Sequence, residues 1–318
     1  MNLPPMPPVR IATRKSQLAL WQAEHVATLL RRAHEGLEVL LVPIVTQGDR
    51  IQDRSLAAIG GKGLFIKELE VALEEERADI AVHSMKDLPA DLPDRLTIAS
   101  VLERADPRDA LLSLKAARLA ELPRNARVGT SSLRRQAQLL AARPDLRIEA
   151  LRGNVDTRLR RLDAGDMDAI VLACAGLIRL GWESRITARL DPAISLPAVA
   201  QGVIGIECRS ADARALALVS ALNHPATRIA MDAERAFARS LGGSCQSPIA
   251  AYAELHGKSI ALRGLVAEPD GSRLLRDHLS GDIEDPAALG RQLAERMLAA
   301  GAGPLLERLR ASQLSEHS

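Results

Sequence analysis

Asp79-Ile80-Ala81-Val82-His83-Ser84-Met85-Lys86-Asp87-Leu88-Pro89 is a short apolar run that stops at a cluster of polar and ionisable residues. Ile80, Ala81 and Val82 fit a strand buried on both faces, as in a parallel sheet, and Pro89 blocks a helix from forming directly across the junction. His83, Ser84, Lys86 and Asp87 then fall at the carboxyl end of a strand, where open α/β sheets bind their ligands. The same residues also fit an ordinary strand-to-loop junction with solvated charges. The rest of the chain has to decide between the two.

Upstream, Val9 to Ala12 reads as a strand, and Ser16 as the N-cap of a helix to Arg32 with Leu18, Trp21, Val26, Leu29 and Leu30 at helical spacing. Val39 to Val45 is a second strand. Beyond it, Gly60-Gly61-Lys62-Gly63 suits a mobile loop over a site or a plain flexible connection, and Phe65 to Glu76 reads as a helix. Downstream of Leu96 to Leu102, another strand, the same grammar restarts near Asp109. The strand from Arg127 leads to Ser131-Ser132 capping the helix Leu133 to Ala142; the strand Leu146 to Leu151, a helix over about Asp156 to Leu162 and the strand Asp168 to Ala173 follow. Such short alternation predicts a parallel sheet. Val203 to Cys208 is a further strand, able to rejoin the first domain. A helix from about Ala226 to Leu241, strands Ile249 to Leu255, Ser259 to Val266 and Arg273 to Ser280, and helices near Pro286 to Ala300 and Pro304 to Arg310 read as a small α+β domain.

A chain of 318 residues has room for two or three domains. Its aromatic content of 2% leaves no evident base-stacking surface and disfavours nucleic-acid binding, and a net charge of +2 gives no global field. Cys174, Cys208 and Cys245 are too few and too far apart for a disulfide framework and form no closely spaced metal-ligand pair. The N-terminus lacks the basic and apolar segments of a secretory signal, and no apolar run approaches the roughly 20 residues of a membrane span. A soluble cytoplasmic protein without a membrane partner is expected.

Arg134 and Arg135 fall in a first helical turn, where positive charge opposes the macrodipole and is a poor choice for helix stability alone. With the serines and the free N–H groups beside them, they make a good anion site. Arg152 follows directly on a strand, Arg158 comes a turn later, and Arg14 and Lys15 follow the first strand. Together they suit a basic cleft for a small polyanion; singly, each suits a solvated surface. Cys174 and Cys208 sit in apolar runs and read as core. Cys245, in Leu241-Gly-Gly-Ser-Cys-Gln-Ser-Pro, reads as a nucleophile, an attachment point or an unremarkable loop cysteine.

Six stretches taken together, Arg10-Ile-Ala-Thr-Arg-Lys-Ser, Gly60-Gly-Lys-Gly-Leu-Phe, Ala81-Val-His-Ser-Met-Lys-Asp-Leu-Pro, Val128-Gly-Thr-Ser-Ser-Leu-Arg-Arg, Leu151-Arg-Gly-Asn-Val and Gly242-Gly-Ser-Cys-Gln-Ser-Pro, closely resemble the porphobilinogen deaminase family, in order from about Val9 to Arg310. The resemblance implies an enzyme that condenses four porphobilinogens stepwise, releases ammonia and yields the linear tetrapyrrole hydroxymethylbilane. It implies a covalently bound dipyrromethane cofactor and a monomer. It also implies two α/β domains, doubly wound like periplasmic binding proteins with a cleft between them, plus a small α+β C-terminal domain: 1–103 with 203–222, 104–202, and 223–318.

Carried over position by position, the resemblance puts the catalytic carboxylate on Asp87 and the cofactor thioether on Cys245. It puts further cofactor contacts on Lys86, Asp87, Ser132, Arg134, Arg135 and Arg158, substrate contacts on Arg14, Ser16, Arg152 and Arg158, and the mobile loop on Gly60, Gly61, Lys62 and Gly63, with no metal. Gln17, Ala200 and Ser244 depart from the family pattern, which bears on loop geometry rather than on the reaction. Pyrroles with acetate and propionate arms form a dense polyanion suited to arginines; a carboxylate near the pyrrole N–H stabilises the cation left when ammonia departs, its acid form can protonate the leaving amine, and Asp87 suits both roles. This makes His83, the first choice of a search for a general base, the less favoured catalyst beside Asp87. A polyanion-binding module without turnover is the alternative; it explains the arginines and leaves Asp87 and Cys245 idle.

Overall fold

The computed structural model describes residues 7–47, 66–243 and 247–315, so the Gly60–Gly63 loop and Cys245 lie outside the described residues. Those residues form two compact units, one holding 7–47, 66–104 and 203–228 and the other 105–202, 229–243 and 247–315.

The first unit is built on a five-stranded sheet. Its strands are β1 (Val9–Arg14), β2 (Val39–Ile44), β3 (Ile80–Ser84), β4 (Leu96–Val101) and β10 (Ile204–Arg209), in the order β2-β1-β3-β10-β4. β1 runs parallel to β2 and β3, whereas β10 is antiparallel to both β3 and β4. Ile80 and Val82 pack with Ile11, Val26, Leu30 and Ile206 in one core, while Ala81 joins Ala12, Leu69 and Leu73 in another. Burial on both faces is why this strand reads as an unbroken apolar run. Each large aliphatic side chain shut away there contributes about 1.5–3 kcal/mol. Helix α1 (Gln17–Ala33) begins at Ser16, whose hydroxyl accepts from the Ala19 N–H at 3.4 Å. α2 (Lys67–Glu74) packs against β1 and β3.

The second unit holds a sheet of β5 (Asp109–Ser113), β6 (Arg127–Gly129), β7 (Arg147–Glu149), β8 (Ala169–Ala173) and β9 (Ala188–Arg189), in the order β7-β6-β8-β5-β9. β6 is parallel to β7 and β8, and β5 is antiparallel to β8 and β9. Its helices include α3 (Leu133–Ala142), α4 (Val155–Asp163) and α5 (Cys174–Arg179). In the same unit, β11 (Ile249–His256), β12 (Ser259–Ala267) and β13 (Leu274–Asp282) make an antiparallel meander. α7 (Pro225–Ser240), which follows α6 (Ala213–Ser220), buries Phe237 with α8 (Pro286–Met297) over that meander, and α9 (Gly303–Ser315) ends the described chain.

The mixed α/β class with two such sheets and an α+β part is therefore present, and the strand from Val203 does return to the first sheet. Both larger sheets are mixed rather than wholly parallel. An apolar run specifies burial and period but carries no signal of strand direction, so the two antiparallel insertions were invisible in sequence.

Candidate active site

β3 ends at Ser84, and Met85–Asp87 make a single 3₁₀ turn before Leu88 returns to extended backbone. With Pro89 next, the turn does not propagate. The turn is anchored from below. Met85 is buried, its N–H donates to the Val203 carbonyl at 3.0 Å, and its side chain lies over Gly205 of β10. A Cβ on Gly205 would sit 2.9 Å from Met85 Cγ and closer still to its sulfur, so any other residue there would displace the Met85 side chain. Asp87 is thereby presented at the surface, and its carboxylate has no hydrogen-bond or ion-pair partner among the described residues. At the other end of the same strand, Asp79 is fully engaged: it accepts from the Arg10 N–H at 2.8 Å and from the Arg10 guanidinium at 2.7 and 3.2 Å.

Asp87 shares a pocket with Arg14, Ser16, Gln22, His83 and Ser84, floored by Leu18, Leu69 and Val82. The turn from β1 into α1 delivers Arg14 and Ser16, and the first two turns of α1 deliver Gln22. Gln22 is buried and exchanges hydrogen bonds with Ser84, Nε2 to Oγ at 2.8 Å and Oγ to Oε1 at 3.3 Å. His83 is buried beside Glu207 of β10, with Nε2 2.9 Å from Oε2. Lys86 is half-buried in the turn beside Asp87. Gln22 and Glu207 were missed in sequence, although each left a signal. Gln22 interrupts the apolar phase of Leu18 and Val26, and Glu207 is the one acid inside Val203-Ile-Gly-Ile-Glu-Cys.

In the second unit the geometry takes a different form. Arg134 and Arg135 start α3 after Ser132, whose hydroxyl accepts from the Arg135 N–H at 3.4 Å. Both guanidiniums are buried and converge on Asp109 at the head of β5. Arg134 donates to it at 2.8 and 3.2 Å and Arg135 at 3.0 and 2.8 Å, while Ser195 Oγ and Gln201 Nε2 add donors at 2.7 and 2.9 Å. Burial pushes the Asp109 carboxyl up, but Arg134 and Arg135 outweigh it and hold it well below the usual carboxylate range. The cluster keeps one surplus positive charge, and Arg134 Nε is buried without a partner. These two arginines are thus not simply solvated: Asp109 answers one of their two charges, and one positive charge remains.

Arg152 and Arg158 are half-buried near the start of α4, Arg158 donating from Nε to the Gly153 carbonyl at 2.8 Å. Arg179, which sequence reasoning passed over, ends α5 and donates to the Gly202 carbonyl at 2.7 Å. Burial pulls its pKa down to about 10, and it has no carboxylate partner among the described residues.

Two of the three cysteines are inert. Burial raises the Cys174 thiol to about 12 and the Cys208 thiol to about 11, so neither supplies thiolate near neutrality. The approach to Cys245 is described up to Gly243. α7 closes in a Schellman motif: Gly242, at φ +60°, donates to the Arg239 carbonyl at 2.9 Å, and Gly243 donates to the Ala238 carbonyl at 2.9 Å. Arg310 caps the Leu241 and Gly242 carbonyls at 3.0 Å each. The segment carrying the thiol therefore leaves a firmly terminated helix. No group of three or more His, Cys, Asp or Glu able to hold a metal occurs among the described residues.

Two family profiles match the chain: "Porphobilinogen deaminase, dipyromethane cofactor binding domain" over residues 9–217 and "Porphobilinogen deaminase, C-terminal domain" over residues 229–299. Curated relatives named porphobilinogen deaminase from Xanthomonas axonopodis pv. citri (strain 306) and Xanthomonas euvesicatoria pv. vesicatoria (strain 85-10) are each 56% identical over 304 residues, covering 96% of this chain and 100% of the relative. Among solved structures, an ABC transporter periplasmic substrate-binding protein from Coxiella burnetii is similar at a TM-score of 0.42 and 18% identity, over 69% of this chain and 94% of that one.

Proposed function

The chain belongs to the porphobilinogen deaminase family, whose members work on a dipyrromethane cofactor, and from that premise we propose that Asp87 is its catalytic carboxylate and Cys245 the cofactor's attachment point. The enzyme condenses four porphobilinogen molecules stepwise, with release of ammonia, into the linear tetrapyrrole hydroxymethylbilane. The observation that carries the Asp87 assignment is its presentation: a carboxylate without internal partners, held on a rigid one-turn shelf in a pocket that Arg14 also lines.

A dipyrromethane carries four carboxylates, and the chemistry of the residues present fits it. Arg134 Nε is a buried cationic donor with capacity left over, Arg179 is a half-buried cation, and Arg152, Arg158 and Ser132 lie on the same unit. We assign these with Lys86 and Arg135 to the carboxylates of the cofactor and the growing chain, and Arg14 and Ser16 to those of incoming porphobilinogen. When bound, the cofactor supplies a primer pyrrole to which substrate is joined. Asp87, as an anion, stabilises the positive charge that spreads onto the pyrrole nitrogen of the substrate when its amine departs. Exclusion of Cys174 and Cys208 by burial supports Cys245 as the thioether. Three domains, at 1–103 with 203–222, 104–202 and 223–318, a monomeric state and a cytoplasmic location complete the reading; no described helix is long and apolar enough to cross a membrane.

Intact-protein mass spectrometry tests it. The purified protein carries an adduct of dipyrrole mass that Cys245→Ser lacks, and native alkylation spares Cys174 and Cys208. An active protein without the adduct would sink the cofactor assignment.

A further inference from the structure

Chain assembly poses a proton problem that Asp87 does not solve alone. Each addition expels the substrate amine as ammonia, which takes up a proton. After the new C–C bond forms, a proton must leave the α-carbon of the acceptor pyrrole. While Asp87 is an anion stabilising the neighbouring cation, its charge is already engaged and it is a weak base toward that carbon. Of the other polar groups lining the pocket, the Arg14 guanidinium has no acceptor lone pair, and Ser16, Gln22 and Ser84 have no basic nitrogen. His83 brings an imidazole, the side chain most often used as a general base.

The strand register holds His83 for such a task. β3 and β10 are antiparallel, with His83 opposite Gly205 and Ala81 opposite Glu207, so His83 reaches Glu207 diagonally across one face of the sheet. Glu207 is fully buried, and its Oε1 has no hydrogen-bond partner. With Glu207 as a carboxylate and the ring neutral, the hydrogen sits on His83 Nε2, facing Oε2, and the lone pair falls on Nδ1. Nδ1 has no partner among the described residues. A buried carboxylate fixing the tautomer of a histidine in a pocket is how a general base is oriented. The charged groups around the ring are Glu207 from β10, Asp87 and Arg14 in the pocket, and Glu70 from α2. The Glu70 carboxyl is pushed up by burial and then by Glu207, and drawn down by His83.

We propose that His83 takes the α-carbon proton of the acceptor pyrrole and that Glu207 is the positioning residue that makes it a base; this rests on the reading of Asp87 given above. In the step, the C–H bond breaks, its electron pair restores the aromatic ring, and the proton moves to Nδ1 while Nε2–H stays on Glu207. The imidazolium then gives that proton to the next amine as the C–N bond breaks and ammonia leaves. Across one addition the protons balance, with no net proton taken from or given to Asp87.

Three measurements test it. With porphobilinogen deuterated at its free α-carbon, dipyrromethane-loaded His83→Gln turns over about 100-fold more slowly than the parent and shows a primary isotope effect that the parent lacks. Nitrogen-15 spectra of the substrate-free protein, with His83 assigned by its loss in His83→Gln, put the ring hydrogen on Nε2. Glu207→Gln moves that hydrogen to Nδ1 and brings out the same isotope effect. A His83→Gln protein near the parent rate, or one slowed with no isotope effect, overturns the proposal, as does a parent ring protonated on Nδ1. If His83→Gln does not fold, Glu207→Gln and the parent tautomer decide. Failure of the Asp87 reading shows separately, as undiminished ammonia release from Asp87→Asn with undeuterated substrate.

Discussion

Asp87 and Asp109 sit near strand ends in the two units, and they are treated in opposite ways. Asp109 is sealed from water and receives six hydrogen bonds from Arg134, Arg135, Ser195 and Gln201, whereas Asp87 is exposed and accepts none from the described residues. The difference separates structure from chemistry. A carboxylate whose lone pairs are all answered internally is a fixture of the fold. One that is rigidly held and unanswered is available to a reacting group.

Asp109→Asn strikes the contrast hardest. It strands two buried guanidiniums and costs about 3–5 kcal/mol in urea unfolding. Because its folded-state pKa is depressed, the stabilisation from Asp109 is complete above the unfolded carboxylate value of about 3.9 and fades as pH falls below it. The asparagine variant loses that acid-dependent part. Asp87→Asn comes next and is the mirror image. Ammonia release falls about 10²–10³-fold, or about 2.7–4 kcal/mol of transition-state stabilisation. Its unfolding midpoint stays within about 0.5 kcal/mol of the parent. If Asp87→Asn unfolds easily or Asp109→Asn stays stable but inactive, the division of roles is wrong.

Gly205→Ala probes the shelf beneath Asp87. The added methyl meets Met85 and costs about 1–3 kcal/mol of overpacking, and the displaced turn lowers turnover with Asp87 still in place. The smallest effect belongs to the Asp109 side. Ala200, beside Gln201, is held at φ +56° with its N–H on Glu234 at 2.6 Å, a conformation glycine adopts without strain. Ala200→Gly therefore gains up to about 1 kcal/mol in thermal unfolding and leaves turnover unchanged. The departure from the family pattern at this position is thus a local strain, held by a buried glutamate.

Much of this was legible along the chain. Strand β3 and the stop at Pro89, the cap at Ser16, the helix Leu133–Ala142 and the order of the motifs are local patterns of period, capping and turn chemistry, and the structure keeps them within a residue or two. The exposed place of Asp87 follows from an apolar run ended by a proline. What the sequence determined alone was the elements and the family, and it singled out Asp87 and Cys245 as the side chains proposed to react, because each of these readings rests on neighbours within a few residues.

Only the tertiary structure decided which charges are spent. Arg134 and Arg135 find Asp109 25 and 26 residues upstream, and His83 finds Glu207 124 residues downstream. Those pairings exist because β5 and β10 enter their sheets antiparallel, and hydrophobic period is blind to strand direction. A lone arginine in sequence is the same residue whether its partner is a substrate or a buried aspartate. The difference is made by the low-dielectric surroundings that fold around it, where a charge must be answered by whichever group the topology brings within hydrogen-bond reach.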